Sequence, residues 1–123
     1  MPKKILIVDD EEDMRFYLET LLRKAGYNTD VAINGAEALI KIEQDIPDLI
    51  TLDILMPKKS GLNFFETLRS RADTKGLPIV IVSGISGNRE FFEQGKPSEP
   101  TVFMEKPIIR EEFLKNIKEL LGE

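Results

Sequence analysis

A chain of 123 residues, 41% hydrophobic and 32% charged, has the size and balance of one globular domain, so residues 1–123 are read as a single unit. It contains no cysteine and no histidine, which excludes disulfides, thiolate or imidazole metal sites, and imidazole acid–base chemistry on its own side chains. A net charge of −5 without a Lys/Arg cluster speaks against nucleic acid, no apolar run approaches the ~20 residues that span a bilayer, and no signal-peptide pattern opens the chain, so a cytoplasmic protein with protein partners is expected.

Ile5-Leu6-Ile7-Val8 is a short apolar run without alternation, as expected of a strand buried on both faces of a parallel sheet. Met14, Tyr17, Leu18, Leu21, Leu22 and Ala25 then recur at helical spacing, and Gly26 supplies a stop. Thr29 to Ile33 alternates more and suits a sheet margin. Asn34 is placed to cap a second helix carrying Ala38, Leu39 and Ile42, with Glu37 completing a box-like cap. Leu49 to Leu52 repeats the buried-strand pattern, and Ser60 can cap a third helix bearing Phe64, Phe65 and Leu68. Ile79 to Val82 is a fourth strand. The stretch after it predicts a short fourth helix within about residues 87–94 and then an irregular connection, because Gly87, Gly95, Pro97 and Pro100 oppose helix and Phe91 and Phe92 give a thin apolar stripe. Thr101 to Met104 forms a marginal fifth strand, and Phe113, Leu114, Ile117, Leu120 and Leu121 mark a last helix. Regular alternation of strand and helix predicts βαβ units, hence an α/β fold with helices on both faces of a five-stranded parallel sheet.

In such a sheet ligands sit outside the carboxyl ends of the strands. Strand one runs into Asp9-Asp10, strand three into Asp53, strand four into Ser83 and strand five into Glu105-Lys106-Pro107. Glu11, Glu12 and Asp13 read as a solvated acidic helix start. Asp9, Asp10 and Asp53 differ, because three carboxylates converging at the sheet end repel unless a cation intervenes. Oxygen-only ligands suit a hard ion such as Mg2+, with Mn2+ as a substitute, and such an ion keeps positions for phosphate oxygens. A carboxylate beside it can also attack phosphorus, so Asp53 combines a ligand's role with a nucleophile's. The Lys106 ammonium and the Ser83 hydroxyl are the groups that would meet the equatorial oxygens of a transferring phosphoryl group.

Asp9-Asp10, the stretch Asp53-Ile54-Leu55-Met56-Pro57 with Gly61 beyond it, Ser83-Gly84 and Lys106-Pro107 stand in order and at fitting separations. Together they resemble the full motif set of bacterial response regulator receiver domains, and the resemblance covers essentially the whole chain. It implies a flavodoxin-like, doubly wound sheet ordered 2-1-3-4-5 with its switch point between strands one and three. It implies Asp53 as phosphoacceptor, Mg2+ held by Asp9, Asp10, Asp53 and the backbone carbonyl of Leu55, and a phosphoryl group held by Ser83 and Lys106. Ser83 and Phe103 would be the switch residues, with Phe103 turning inward, and Pro107 would follow a cis peptide bond. The donor would be a histidine kinase or a histidine phosphotransfer protein, the receiver of the signal an output partner or domain, and turnover on an outside substrate is not expected.

Two features depart from the family pattern. Ile109 stands where a capping side chain is usual, and Glu99-Pro100 replaces the usual small pair before strand five. Among other readings, a haloacid-dehalogenase-like phosphatase would need a second Asp two residues after the nucleophile, where this chain has Leu55. A nucleotide binder would need a phosphate-cradling loop where it has Asp9-Asp10. A docking module independent of phosphorylation is the remaining alternative, and the complete set of site residues argues against it.

Overall fold

The computed structural model describes residues 2–54, 60–84 and 100–123. Five strands, β1 (Lys4–Val8), β2 (Asn28–Ala32), β3 (Leu49–Asp53), β4 (Ile79–Ser83) and β5 (Thr101–Glu105), alternate with helices α1 (Glu12–Lys24), α2 (Gly35–Gln44), α3 (Ser60–Ser70) and α4 (Arg110–Leu121). The strands pair in parallel in the order β2-β1-β3-β4-β5. The segment expected to carry a short helix between β4 and β5, up to residue 99, and the carbonyl of Leu55 lie outside the described residues.

Each central strand sends alternate side chains to two cores. Leu6, Val8, Ile50, Leu52, Ile79, Ile81 and Phe103 meet Ala38 and Ile42 of α2 and Phe64, Phe65 and Leu68 of α3. Ile5, Ile7, Leu49, Val80, Val82 and Met104 meet Leu18 and Leu22 of α1 and Phe113 and Ile117 of α4. Both faces are therefore covered, which is why the central strands are uninterrupted apolar runs.

The helix ends follow local chemistry. Gly26 adopts φ +97 just beyond α1, a left-handed turn that glycine enters without Cβ strain. The Asn34 side chain accepts from the Glu37 amide at 2.8 Å, while the Glu37 carboxylate accepts from the Ile33 amide at 3.1 Å. The reciprocal half of the expected cap thus falls one residue earlier. β2 ends at Ala32, where its pairing with Val8 of β1 ends, so Ile33, expected in the strand, lies beyond it with its side chain exposed. No side-chain hydrogen bond caps α4 at Ile109, as its apolar side chain dictates.

Two side chains bind backbone oxygens near the margins of the sheet. Arg69, buried at the end of α3, donates to the carbonyls of Lys75 (2.9 Å), Leu77 (2.7 Å) and Pro100 (3.1 Å) and to the Thr101 hydroxyl (2.7 Å). It fastens the amino ends of β4 and β5 to α3. At the other margin Lys41 donates to the Val31 carbonyl and pairs with Asp30 at 2.9 Å, and Asp30 accepts from the Val31 amide at 2.8 Å.

In the middle of β3 the buried hydroxyl of Thr51 has no hydrogen-bond partner among the described residues. A buried hydroxyl without an acceptor costs on the order of 1 kcal/mol or more. Thr51→Val, close in shape, is expected to raise the urea midpoint by an amount equivalent to about 1 kcal/mol, with an unchanged slope; a lower midpoint would show that the hydroxyl is satisfied.

Candidate functional site at the carboxyl edge of the sheet

The order β2-β1-β3 makes the chain leave β1 and β3 in opposite directions, and the crevice between those two strand ends is where this fold opens. Asp9 follows β1 directly, and Asp53 is the last residue of β3. The ladder reaches slightly further than the apolar runs suggested: Asp53 still pairs with Val82, and Ser83 with Glu105. These polar side chains are accordingly fixed by the sheet rather than by loops.

Carboxylate oxygens of Asp9, Asp10 and Asp53 lie within 4.8 Å of one another, Asp9 and Asp53 buried and Asp10 exposed. Asp9 is held on three sides. Its amide donates to the Ala32 carbonyl at 3.1 Å, its Oδ1 accepts from the Glu11 amide at 2.8 Å, and its carbonyl accepts from the Arg15 guanidinium at 2.8 Å. Burial pushes the Asp9 carboxyl up to about 6 from the ordinary 3.8; the Glu11 amide works against this, the Asp53 charge adds to it, and Lys106 opposes it.

The Lys106 ammonium, on the residue after β5, lies 3.5 Å from Asp53 Oδ2, 3.9 Å from Asp9 Oδ2 and 3.4 Å from Glu11 Oε1. Burial alone would lower its pKa, yet the charges of Asp53, Asp9 and Glu11 outweigh that and raise it, so the group stays cationic. Its amide donates to the Ser83 carbonyl at 2.8 Å, tying the β5 exit to β4. The Lys106–Pro107 bond is cis. Ser83 is fully buried, and on neighbouring β5 the Phe103 ring, opposite Ile81, is packed in the core with only 8% exposure.

Gly61, in the first turn of α3, explains how the helix can sit so close. A Cβ there would lie 2.6 Å from the Asp53 carbonyl oxygen and 2.6 Å from Ile54 Cα. Glycine is needed for the approach of two backbones, and its role could not be read from spacing alone. Glu11 and Arg15 were also missed. Glu11 was read as plain solvated surface, and it does remain largely exposed, but its carboxylate reaches Lys106 across the site. A three-oxygen-donor centre without nitrogen or sulfur fits a hard divalent cation such as Mg2+.

Fold and site together define a doubly wound α/β protein with an acidic centre where nucleotide-binding relatives of the fold carry a phosphate-cradling loop. The chain matches the response regulator receiver domain model over residues 5–118. It is 33% identical over 125 residues to the polar-differentiation response regulator DivK of Brucella anthropi, covering 100% of this chain and 99% of DivK. It is 36% identical over 121 residues to the response regulator MprA of Mycolicibacterium vanbaalenii, covering 98% of this chain but 51% of MprA. A putative response regulator from Chloroflexus aurantiacus superposes with a TM-score of 0.87 over 100% of both chains at 32% identity. The chain belongs to the response regulator receiver domain family, whose members signal in two-component systems. Such domains are generally not enzymes; they are phosphorylated by histidine kinases and regulate output partners. Among the described residues no helix is long and apolar enough to cross a membrane.

Two measurements probe this geometry. Gly61→Ala is expected to lose about 1–3 kcal/mol of stability from overpacking and to move the Asp53 amide resonance; an unshifted resonance with full stability would mean that α3 yields freely. The raised Asp9 pKa carries a sign: the folded state holds the proton more tightly than the unfolded one, so this group's contribution is intact below about pH 4 and is lost as pH rises to about 6. In metal-free protein Asp9→Asn should therefore gain stability over wild type across that window, on the order of 2 kcal/mol by pH 7. A difference that does not change with pH in urea titrations would refute it.

Proposed function

We propose that Asp53 accepts a phosphoryl group from a histidine kinase or a histidine phosphotransfer protein, and that Asp9, Asp10, Asp53 and the carbonyl of Leu55 hold Mg2+, which Mn2+ can replace. The observation that carries this reading is the buried Asp53 carboxylate, fixed at a strand end with Lys106 at 3.5 Å and two further carboxylates beside it. Bound cation would neutralise the donor's phosphoryl charge and offset the repulsion among the acids.

The chain's own residues supply the rest. An Asp53 oxygen attacks phosphorus, the P–N bond to the donor imidazole breaks, and its electron pair leaves with the imidazole, which takes a proton; the product is an acyl phosphate on Asp53. Lys106 keeps its positive charge throughout and is placed to meet the phosphoryl oxygens, and Ser83 supplies a hydroxyl from the next strand. Turnover on an outside substrate is not part of this function; the product is the signal. A phosphorylated state that draws on the Ser83 hydroxyl would differ from the unphosphorylated one by that contact, and only such differential contacts shift a conformational equilibrium. Phe103 shares a sheet face with Ser83, and we assign it the relay to an output partner. Its ring is already inward here, so the relay would be a repacking within the core rather than an entry from solvent.

Acetyl phosphate with Mg2+ is expected to add one phosphoryl group to the wild-type intact mass and none to Asp53→Asn. Equal labelling of the two would sink the assignment, and no labelling of wild type by any donor would favour a docking module independent of phosphorylation.

A further inference from the structure

The Lys106 ammonium faces three carboxylates, and they are not alike. Asp9 and Asp53 are buried, with side chains 2% and 3% exposed, whereas the Glu11 side chain is 65% exposed and makes the shortest of the three contacts, a hydrogen bond at 3.4 Å. Glu11 is the residue before α1, and its side chain makes no bond to the helix amides. Its amide is engaged with Asp9 and its carboxylate crosses to the residue after β5. An exposed acid therefore stands at the rim of the site, on the ammonium that an entering phosphoryl group needs.

Building on the reading of Asp53 as phosphoacceptor, we propose that Glu11 is a positioning residue that draws Lys106 toward the rim and biases the site against small dianionic phosphodonors. Among the described residues the Lys106 ammonium meets the carboxylates of Asp9, Asp53 and Glu11, and Asp10 lies in one cluster with Asp9 and Asp53, which makes four carboxylates at this end of the sheet. Three of them belong to the centre that a divalent cation neutralises; the fourth does not and acts on whatever enters. A dianion such as acetyl phosphate meets the Glu11 charge in front of Lys106 and must displace its contact. A donor carrying one negative charge fewer, such as phosphoramidate, pays a smaller electrostatic cost. A donor held by a protein surface can meet the Glu11 charge with its own side chains. The same carboxylate thus separates free metabolite donors from a docked protein donor.

The test compares wild type, Glu11→Gln and Glu11→Asp in phosphorylation by acetyl phosphate and by phosphoramidate, each with Mg2+. Glu11→Gln is expected to raise the second-order rate with acetyl phosphate roughly three-fold at low salt, as loss of one charge within several ångströms of an exposed site allows. The gain should be smaller with phosphoramidate and should shrink in high salt. Glu11→Asp, which keeps the charge, should keep the wild-type ratio of the two rates. In metal-free protein without donor, the Lys106 Cε resonance should shift in Glu11→Gln, which reads the contact itself. Unchanged rates, equal gains with both donors, a gain indifferent to salt, or an unshifted Lys106 resonance would each overturn the role of Glu11 while leaving Asp53 as acceptor. Failure of wild type and Glu11→Gln alike to take a phosphoryl group from either donor would instead overturn the reading of Asp53, and this inference with it.

Discussion

Two carboxylates buried on neighbouring strands repel each other, and the ammonium of Lys106, within 3.5 Å of one and 3.9 Å of the other, is what lets the open end of this sheet hold them. Buried charge is costly unless compensated. Here the compensation comes from the far side of the fold, since Lys106 reaches the β1–β3 crevice from the exit of an outer strand. The Lys106–Ser83 backbone bond, the Arg15 contact to the Asp9 carbonyl and the bare glycine under α3 all serve the same end. Each fixes the backbone next to a charged side chain, so that the acids and the Lys106 ammonium stay in register rather than spreading into solvent.

The Asp9 pKa is raised chiefly by burial, and the charge of Asp53 adds to that. Among the described residues one ammonium faces several acids, and the surplus of negative charge in a crevice with low-dielectric walls is an attractive field for a divalent ion and an unfavourable one for a phosphate without it. In the proposed phosphoryl transfer that field would favour binding of the cation before the donor.

Most of the architecture was legible because it rests on local signals. The unbroken apolar runs at Ile5, Leu49 and Ile79 marked strands covered on both faces, and the Asn34 cap and the Gly26 stop marked helix ends. The strand ends were read one residue short at Asp53, Ser83 and Glu105, since a polar residue can continue a ladder as well as an apolar one. Contacts between distant side chains were not legible. Glu11 sits in an acidic run that looks like any solvated helix start, and only the fold brings Lys106 to it. Arg69 reads as the polar end of a helix, yet it is buried with its guanidinium spread over carbonyls of three separate residues. Gly61 was visible as part of a motif, but its reason, the closeness of two backbones, is a property of packing alone.

The margin of the sheet at β2 carries one more consequence. Val31 turns both its amide and its carbonyl away from β1, toward the free side, since Ala32 is the residue whose carbonyl meets the chain after β1. Those two groups are what another strand would need in order to add itself there, and both are already taken, the amide by Asp30 and the carbonyl by Lys41. Because Asp30 and Lys41 also pair with each other, an approaching strand would have to break an ion pair and strip two charged groups before it could bond to Val31. Exposed sheet edges are sites of unwanted polymerisation, and at Val31 this protein blocks its β2 edge with two charged side chains.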